Sequence, residues 1–232
     1  MGISVRAFDH RGHGRSEGRR GVIAGAPQDL SRDVAQVFAA YAQEGRDLPF
    51  LLGHSLGGLA VMHMVAHAGL RPRGLVVSAP ALAAHAGTFD RLLTRVFSRL
   101  APDLAMGNGI SADKLSHAPE VVRAYRDDPL NHDRISARLA RYLFESGPQV
   151  VAAAGNWTVP TLLQVAGGDQ VVDIAGARAF AAAAPVQVVR TVEYAGLFHE
   201  LYNEAEPARS AVLADLAGWL QSRMDLDQAP DA

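Results

Sequence analysis

The sequence predicts an α/β protein in which a mostly parallel β-sheet is covered by helices on both faces. Short runs of apolar and β-branched residues alternate along the chain with longer segments in which apolar residues recur at helical spacing. Strands that alternate with helices in this way are typical of a parallel sheet. The stretch 81–155 interrupts the alternation, because it carries helical patterns without a strong strand. We therefore expect a core formed by residues 1–80 and 156–232, with a helical cap inserted at 81–155.

The first part of the core contains three predicted strands and two predicted helices. The strands are expected at 3–8, 49–52 and 74–78, because these runs are short and rich in apolar or β-branched residues. A helix is expected at 28–44, where apolar residues recur at helical spacing, and a second helix follows at 59–67.

The second part of the core repeats this alternation, and the cap contributes helices of its own. Strands are expected at 160–165 and 186–194, helices at 173–184 and 207–224, and a frayed polar end at 225–232. Within the cap we expect a helix at 134–146 and an apolar helical face at 92–100.

Composition excludes several classes of function. The chain has 232 residues, of which 49% are hydrophobic, which is enough for one sizeable core. A net charge of −2 gives no basic surface for nucleic acid, and the absence of cysteine removes disulfides and thiolate chemistry. No apolar run approaches the ~18 residues of a membrane-spanning helix. No secretory signal is visible, so the expected location is the cytoplasm.

Reactive chemistry is indicated by Gly-His-Ser-Leu-Gly-Gly at 53–58, between a predicted strand and a predicted helix. In this context Gly53-x-Ser55-x-Gly57 is typical of a nucleophile elbow, where a strained turn exposes the serine hydroxyl. The same turn places the backbone N–H of Leu56 at a helix N-terminus, facing a developing oxyanion. The alternative is a glycine-rich turn that contains a serine by chance.

A nucleophilic serine needs a base, and the base needs an orienting carboxylate. Asp169 follows the strand predicted at 160–165, and His199 follows the strand predicted at 186–194. Both residues therefore lie where loops reach the carboxyl edge of a parallel sheet. Asp173 is the rival carboxylate, but its place at the start of the next helix is explained by N-capping.

Other histidines have simpler interpretations. His54 precedes the candidate nucleophile, and its side chain is expected to point away from the serine oxygen. His63 and His67 have the i, i+4 spacing of a zinc pair, but no metalloprotease glutamate lies between them, so packing or exposure is favoured. His10 and His13 are interpreted as loop bracing. We therefore expect no metal and no organic cofactor.

The chain resembles the monoacylglycerol lipase and lysophospholipase family of α/β-hydrolases over nearly its whole length. The motifs that carry the resemblance are Asp-His-Arg-Gly-His-Gly-Arg-Ser at 9–16, Gly-His-Ser-Leu-Gly-Gly at 53–58, Pro-Glu-Val-Val at 119–122, Asp-Pro-Leu at 128–130, Gly-Asp-Gln-Val-Val-Asp at 168–173 and His-Glu-Leu-Tyr-Asn-Glu at 199–204. The elbow alone is shared by many hydrolases, whereas the combination is specific.

The resemblance implies ester hydrolysis through an acyl-enzyme, with monoacylglycerol, a lysophospholipid or another small ester as substrate. It also implies an apolar mouth in the cap that admits an acyl chain. The residues at the matching place are Leu92, Leu93, Val96 and Phe97, although packing inside the core would account for such a stripe equally well. Transient contact of the cap with a membrane surface is compatible with this picture, and the oligomeric state is not specified. Aminopeptidase-type amide hydrolysis and perhydrolysis on the same scaffold, and a non-catalytic binding role, remain alternatives.

One departure from the family concerns the N-terminal side. Members begin with three strands and a helix ahead of the strand that matches 3–8, and a loop there supplies a second oxyanion donor. Here Met1 lies directly ahead of that strand. We therefore expect strands 3–8 and 49–52 to flank a gap in the sheet. A misassigned start and a true truncation both account for this, and the intact Ser55, Asp169 and His199 favour the first.

Overall fold

The computed structural model describes residues 2–23, 25–45 and 47–226. In chain order its elements are α1 (Asp29–Ala42), β1 (Phe50–His54), α2 (Leu56–His67), β2 (Gly74–Ser78), α3 (Thr88–Leu100), β3 (Ala105–Gly107), α4 (Pro119–Asp127), β4 (Arg134–Ser136), α5 (Ala137–Ala153), β5 (Thr161–Ala166), α6 (Ala175–Ala183), β6 (Val189–Tyr194) and α7 (Ala208–Leu226), with 3₁₀ turns at Ala112–Lys114, Ala154–Asn156 and Leu201–Asn203. Of the polar end expected to fray, residues 227–232 lie outside the described residues.

The sheet of the core is parallel, with the strand order β1-β2-β5-β6. The register places Leu51 beside Leu75 and Val77 beside Leu163. Strands β2 and β5 are buried along their whole length, as expected of central parallel strands. The prediction of an α/β protein built on a parallel sheet is confirmed.

Alternating side chains of the central strands enter two different apolar layers. Leu75 and Val77 face one side, where they join the main cluster with residues of α1, α2, α5 and α6. Val76 faces the other side and packs with Leu162 and with Trp219 of α7. Helices on both faces therefore bury the sheet. Because its strands are parallel, their carboxyl ends lie along one edge.

The prediction of a strand at 3–8 is wrong. These residues have no regular secondary structure, and Val5 is 87% exposed. A strand needs a neighbour that pairs with its backbone groups, and no strand in the described part of the chain pairs with the outer side of β1. Leu52 on this outer strand is accordingly 51% exposed. Residues 3–8 have the apolar composition of a strand, but this composition does not show whether a neighbouring strand is available for pairing.

Between β2 and β5 the chain forms a helical region that includes a small hairpin. The antiparallel strands β3 and β4 pair Met106 with Ile135, which the sequence did not predict. The helix expected at 134–146 begins later, at Ala137, and continues to Ala153. Its residues Leu139 and Val150 belong to the main apolar cluster, so this last helix of the region packs directly on the core.

None of the helices in the described part of the chain is long and apolar enough to cross a membrane.

Candidate active site

Ser55 stands between β1 and α2 in a strained backbone conformation. Its φ of 53° and ψ of −119° lie in a region that residues with a side chain rarely adopt. The turn is fixed by its own backbone bonds, because the N–H of Ser55 donates to the carbonyl of Ser78 at 3.0 Å and its carbonyl accepts from Ala81 at 3.1 Å. The side chain is partly exposed at the carboxyl edge of the sheet. This geometry is that of a nucleophile elbow.

Two of the neighbouring glycines lie where another part of the chain comes very close to them. A Cβ atom at Gly53 would lie 2.5 Å from the carbonyl oxygen of Gly57, and one at Gly58 would lie 3.0 Å from Pro80. A Cβ atom at Gly57 would meet nothing within 4 Å. The strand and the helix can therefore cross at the elbow only if position 53 has no side chain, whereas a side chain at position 58 would require Pro80 to shift by a few tenths of an ångström.

Asp169 and His199 are brought together by the loops after β5 and β6. The N–H of Gly168 donates to the carbonyl of Leu197 at 2.9 Å, which joins the two loops. Nδ1 of His199 lies 2.7 Å from Oδ2 of Asp169, and both side chains are almost fully buried. Because an ionised carboxylate only accepts, the proton of the ring lies on Nδ1 and Nε2 is left free to accept another.

The second oxygen of Asp169 is also satisfied. Oδ1 accepts hydrogen bonds from the backbone N–H groups of Val171, at 2.8 Å, and of Val172, at 3.0 Å. The rival Asp173 has a local role instead, since its Oδ1 accepts from the N–H of Ala175 at the start of α6. Of the two carboxylates that the sequence offered, Asp169 is the one that contacts His199.

Leu56 is the first residue of α2. Its N–H therefore has no carbonyl partner within the helix and lies at the positive end of the helix dipole. An oxyanion formed beside Ser55 would find this donor next to it in the chain.

His54 has surroundings that the sequence did not predict, because its side chain lies beside that of His199, while its direction relative to the serine oxygen stays a prediction. The two imidazole rings lie 4.7 Å apart between centroids. Nε2 of His54 lies 3.2 Å from Oε1 of Glu200. Sequence reasoning missed both residues, and the signals that could have found them were the position of Glu200 directly after His199 and that of His54 directly before Ser55.

The remaining histidines lie outside this group. His63 is buried and hydrogen-bonded to Ser31, at 3.1 Å, and to Gln149, at 3.2 Å. Burial lowers the pKa of His10 to about 4, with a smaller contribution from His13. Among the described residues, no group of three or more histidine or acidic side chains is placed to hold a metal ion.

The four apolar residues that the sequence assigned to an acyl-chain mouth lie on α3. Leu92, Leu93 and Val96 are 60%, 41% and 44% exposed, and Phe97 is partly buried. None of the residues of α3 is buried. Packing inside the core therefore does not account for this stripe, and its contact with substrate remains a prediction.

The parallel sheet, the strained serine between strand and helix, and the His–Asp pair after later strands together define an α/β-hydrolase. The family model for serine aminopeptidase, S33, matches residues 1–206, and the chain belongs to this family.

Similar proteins of known name include lipases from several organisms. A monoacylglycerol lipase of Mycolicibacterium smegmatis is 35% identical, over 96% of this chain and 80% of that protein. Human monoglyceride lipase is 30% identical, over 96% of this chain and 75% of that protein. The crystal structure of a monoacylglycerol lipase of Paleococcus ferrophilus has a TM-score of 0.85 and 31% identity, and the match covers 94% of this chain and 82% of that one.

Proposed function

We propose that this protein hydrolyses carboxylic esters, with monoacylglycerol or a related lysolipid as substrate, through an acyl-enzyme on Ser55. The observation that carries the proposal is the buried pair of His199 and Asp169 at the sheet edge that also bears the strained Ser55. Relatives named as monoacylglycerol lipases, at 35% and 31% identity, support the choice of substrate class.

In the first half of the proposed reaction, Oγ of Ser55 attacks the ester carbonyl carbon while Nε2 of His199 takes the serine proton. The imidazolium that forms is stabilised by Asp169, which also keeps the ring in the required tautomer. The carbonyl oxygen becomes an oxyanion and accepts a hydrogen bond from the N–H of Leu56. When the C–O bond breaks, His199 returns the proton to the leaving alcohol, and the acyl group stays on Ser55.

In the second half, water replaces the alcohol. His199 takes a proton from the water molecule as its oxygen attacks the acyl carbon, and the oxyanion forms again beside Leu56. Breakage of the bond to Oγ releases the carboxylic acid, and His199 gives the proton back to Ser55. The sum is one ester and one water converted to one acid and one alcohol.

Charge around the site favours an ester over the substrate of an aminopeptidase. A free α-ammonium group is bound best by a carboxylate that has no other partner. Glu200 pairs with His54 and Asn203, and Glu204 accepts from the backbone of Phe198 at 2.7 Å and from His117. The exposed apolar face of α3 instead suits an acyl chain.

A fluorophosphonate probe tests whether Ser55 is an activated nucleophile. We expect the purified protein to be labelled covalently and the Ser55→Ala variant to remain unlabelled. A folded protein that takes up no probe would favour the non-catalytic binding role and contradict the proposal.

A substrate panel then separates the remaining activities. We expect turnover of monoacylglycerols, and of lysophosphatidylcholine if the headgroup is tolerated, with no cleavage of aminoacyl p-nitroanilides. Faster cleavage of the anilides than of the esters would identify aminopeptidase-type chemistry on the same residues.

A further inference from the structure

The imidazole of His54 is held on both sides. Its Nδ1 lies 3.3 Å from Oγ of Ser78, and its Nε2 lies 3.2 Å from Oε1 of Glu200. Three quarters of each of the two side chains, His54 and Glu200, are removed from solvent. Each nitrogen therefore faces a polar oxygen, Nδ1 in a hydrogen bond and Nε2 at ion-pair distance, and the ring is tilted by 56° to that of His199.

Glu200 is fixed as firmly as His54. Its second oxygen, Oε2, accepts a hydrogen bond from the side chain of Asn203 at 2.9 Å, and its backbone N–H donates to the carbonyl of Leu115 at 2.8 Å. Burial acts to raise the pKa of the Glu200 carboxyl, but the hydrogen bond and charge of His54, with Asn203 and His199, lower it to about 2. The group is therefore a carboxylate throughout the pH range of enzyme assays.

Behind His54, a chain of buried polar groups holds Ser78 in turn. Tyr202 is hydrogen-bonded to Ser78 and donates to the side chain of Gln164. Gln164 donates to the hydroxyl of Tyr194 at 2.7 Å, and this hydroxyl donates to Asp215 at 3.1 Å. Such connected networks fix the groups at their ends, because each member restricts the next.

We propose that His54 and Glu200 form a second imidazole–carboxylate pair that positions the ring of His199 and stabilises its protonated form during ester hydrolysis. The inference rests on the proposed function, since it assigns both residues to the same reaction. Both act through His199 and not on the ester itself, so both are positioning residues. The physical reason is that His199 gains a positive charge in each half-reaction, and a fixed carboxylate beside it lowers the energy of that state.

The charged and titratable groups around His199 come from several elements. Asp169 faces it from the loop after β5, His54 from the elbow, and Glu200 from its own loop. Burial raises the pKa of Tyr125 of α4, and the charges of Glu200 and Asp133 contribute to the same shift. Glu204 lies further along the His199 loop and is paired with His117. Glu200→Gln therefore removes a charge from this group without touching the bond between Asp169 and His199.

The decisive experiment compares Glu200→Gln with Glu200→Asp, and with Glu193→Gln as the matched control on the surface, where Glu193 pairs with Arg178. For hydrolysis of p-nitrophenyl butyrate, we expect Glu200→Gln to lower kcat about tenfold with KM within about twofold. The acid limb of the kcat/KM profile should move to lower pH by about half a unit, because a negative charge that favours protonated His199 is lost. Glu200→Asp should keep the acid limb of the kcat/KM profile near its original pH. Glu193→Gln should change neither kcat nor the position of this limb.

His54→Gln provides an independent second variant, because the amide can still reach Ser78 while the charge of Glu200 stays. We expect a lower kcat without a downward shift of the acid limb. Two results would overturn the inference. One is a folded Glu200→Gln protein whose acid limb of kcat/KM lies at the same pH as that of the wild type, and the other is a kcat that is the same in both variants and in the wild type.

Failure of the proposed function gives a different result. If Ser55→Ala hydrolyses the ester as fast as the wild type, the proposed function is wrong, and this inference is wrong with it. If Ser55→Ala is inactive while Glu200→Gln and His54→Gln behave as the wild type, only the positioning role is wrong. Thermal unfolding of each variant shows whether a loss of activity is a loss of folded protein.

Discussion

Ser55 and His199 illustrate how single residues acquire chemistry from their surroundings. Ser55 has an ordinary side chain, but its φ of 53° is maintained by backbone bonds to Ser78 and Ala81. His199 is oriented by a carboxylate that accepts two further backbone bonds. In each case the neighbours supply the strain or the orientation that the isolated residue lacks.

The assignment of the orienting carboxylate gives a prediction at this scale. Asp169→Asn should reduce kcat for ester hydrolysis by about 10³–10⁴, because the amide no longer holds the Nδ1-protonated tautomer of His199. Asp173→Asn should leave kcat within about twofold, since Asp173 bonds only to the start of α6. Steady-state kinetics of the two purified variants provide the measurement. Equal losses in both would mean that Asp169 is not the partner of the catalytic histidine.

At the level of elements, the crossing of β1 and α2 depends on the absence of side chains at particular positions. Gly53→Ala would bring a Cβ atom against the carbonyl of Gly57, so we expect a loss of about 1–3 kcal/mol in the free energy of unfolding. Gly57→Ala is the matched control, because its Cβ atom would enter open space, and its unfolding free energy should change by less than about 1 kcal/mol. Urea titration followed by circular dichroism measures both. Similar losses in the two variants would contradict this account of the elbow.

Helix α3 contacts α5 but leaves an apolar face exposed at Leu92, Leu93 and Val96. If this face contacts the acyl chain, Leu92→Ser combined with Val96→Ser should lower kcat/KM for long-chain monoacylglycerols about thirtyfold, since two lost apolar contacts are worth about 1 kcal/mol each. Short butyrate esters should be affected by less than about twofold. Arg99→Ser on the same helix is the control. Equal losses for long and short esters would show that the face does not recognise chain length.

For the molecule as a whole, the region between β2 and β5 is joined to the His199 loop by a buried carboxylate. Only 1% of the Glu204 side chain is exposed, and it accepts hydrogen bonds from the backbone of Phe198, at 2.7 Å, and of His117, at 3.0 Å. Its pKa is held below the ordinary value: burial acts to raise it, but the bonds from Phe198 and His117 outweigh that effect. The same loop therefore carries His199 and anchors the segment that precedes α4.

This arrangement predicts how stability depends on pH. A carboxylate with a lowered pKa stabilises the fold above the pKa of the unfolded chain, about 4.3, and the contribution is lost as the pH falls through the lower native value. Glu204→Gln should cost about 2–4 kcal/mol in unfolding free energy near neutral pH, because several donors lose a charged acceptor. The difference from the wild type should shrink below about pH 4. Urea unfolding across this range measures it, with the exposed Glu120→Gln as control, and a difference that is constant with pH would contradict the prediction.

Local sequence determined much of the architecture. The strand 74–78 was predicted with the bounds that β2 has, and the main helices of the core were placed within a few residues of their ends. These predictions succeed because each run is apolar enough to be buried in the core, either over its whole length, as in β2, or along one stripe, as in α1. The elbow was likewise visible, since a serine between glycines at a strand–helix junction is typical of an exposed nucleophile. The order of Ser55, Asp169 and His199 after successive strands predicted that they meet at one edge.

Tertiary structure decided what depends on partners distant in sequence. The segment 3–8 has the composition of a strand, yet it forms none, because pairing requires a neighbouring strand that the described sheet does not place beside it. The neighbours of His54 were not predicted, because Ser78 and Glu200, which place its ring next to that of His199, are distant from it in the sequence. The periodicity of a sequence indicates which face of a helix or strand is apolar. It does not indicate hydrogen-bond partners, because these come together only when loops that follow different strands meet in the folded chain. The sequence by itself therefore determined the fold class and the candidate nucleophile, base and carboxylate, and only the folded chain decided which groups surround them.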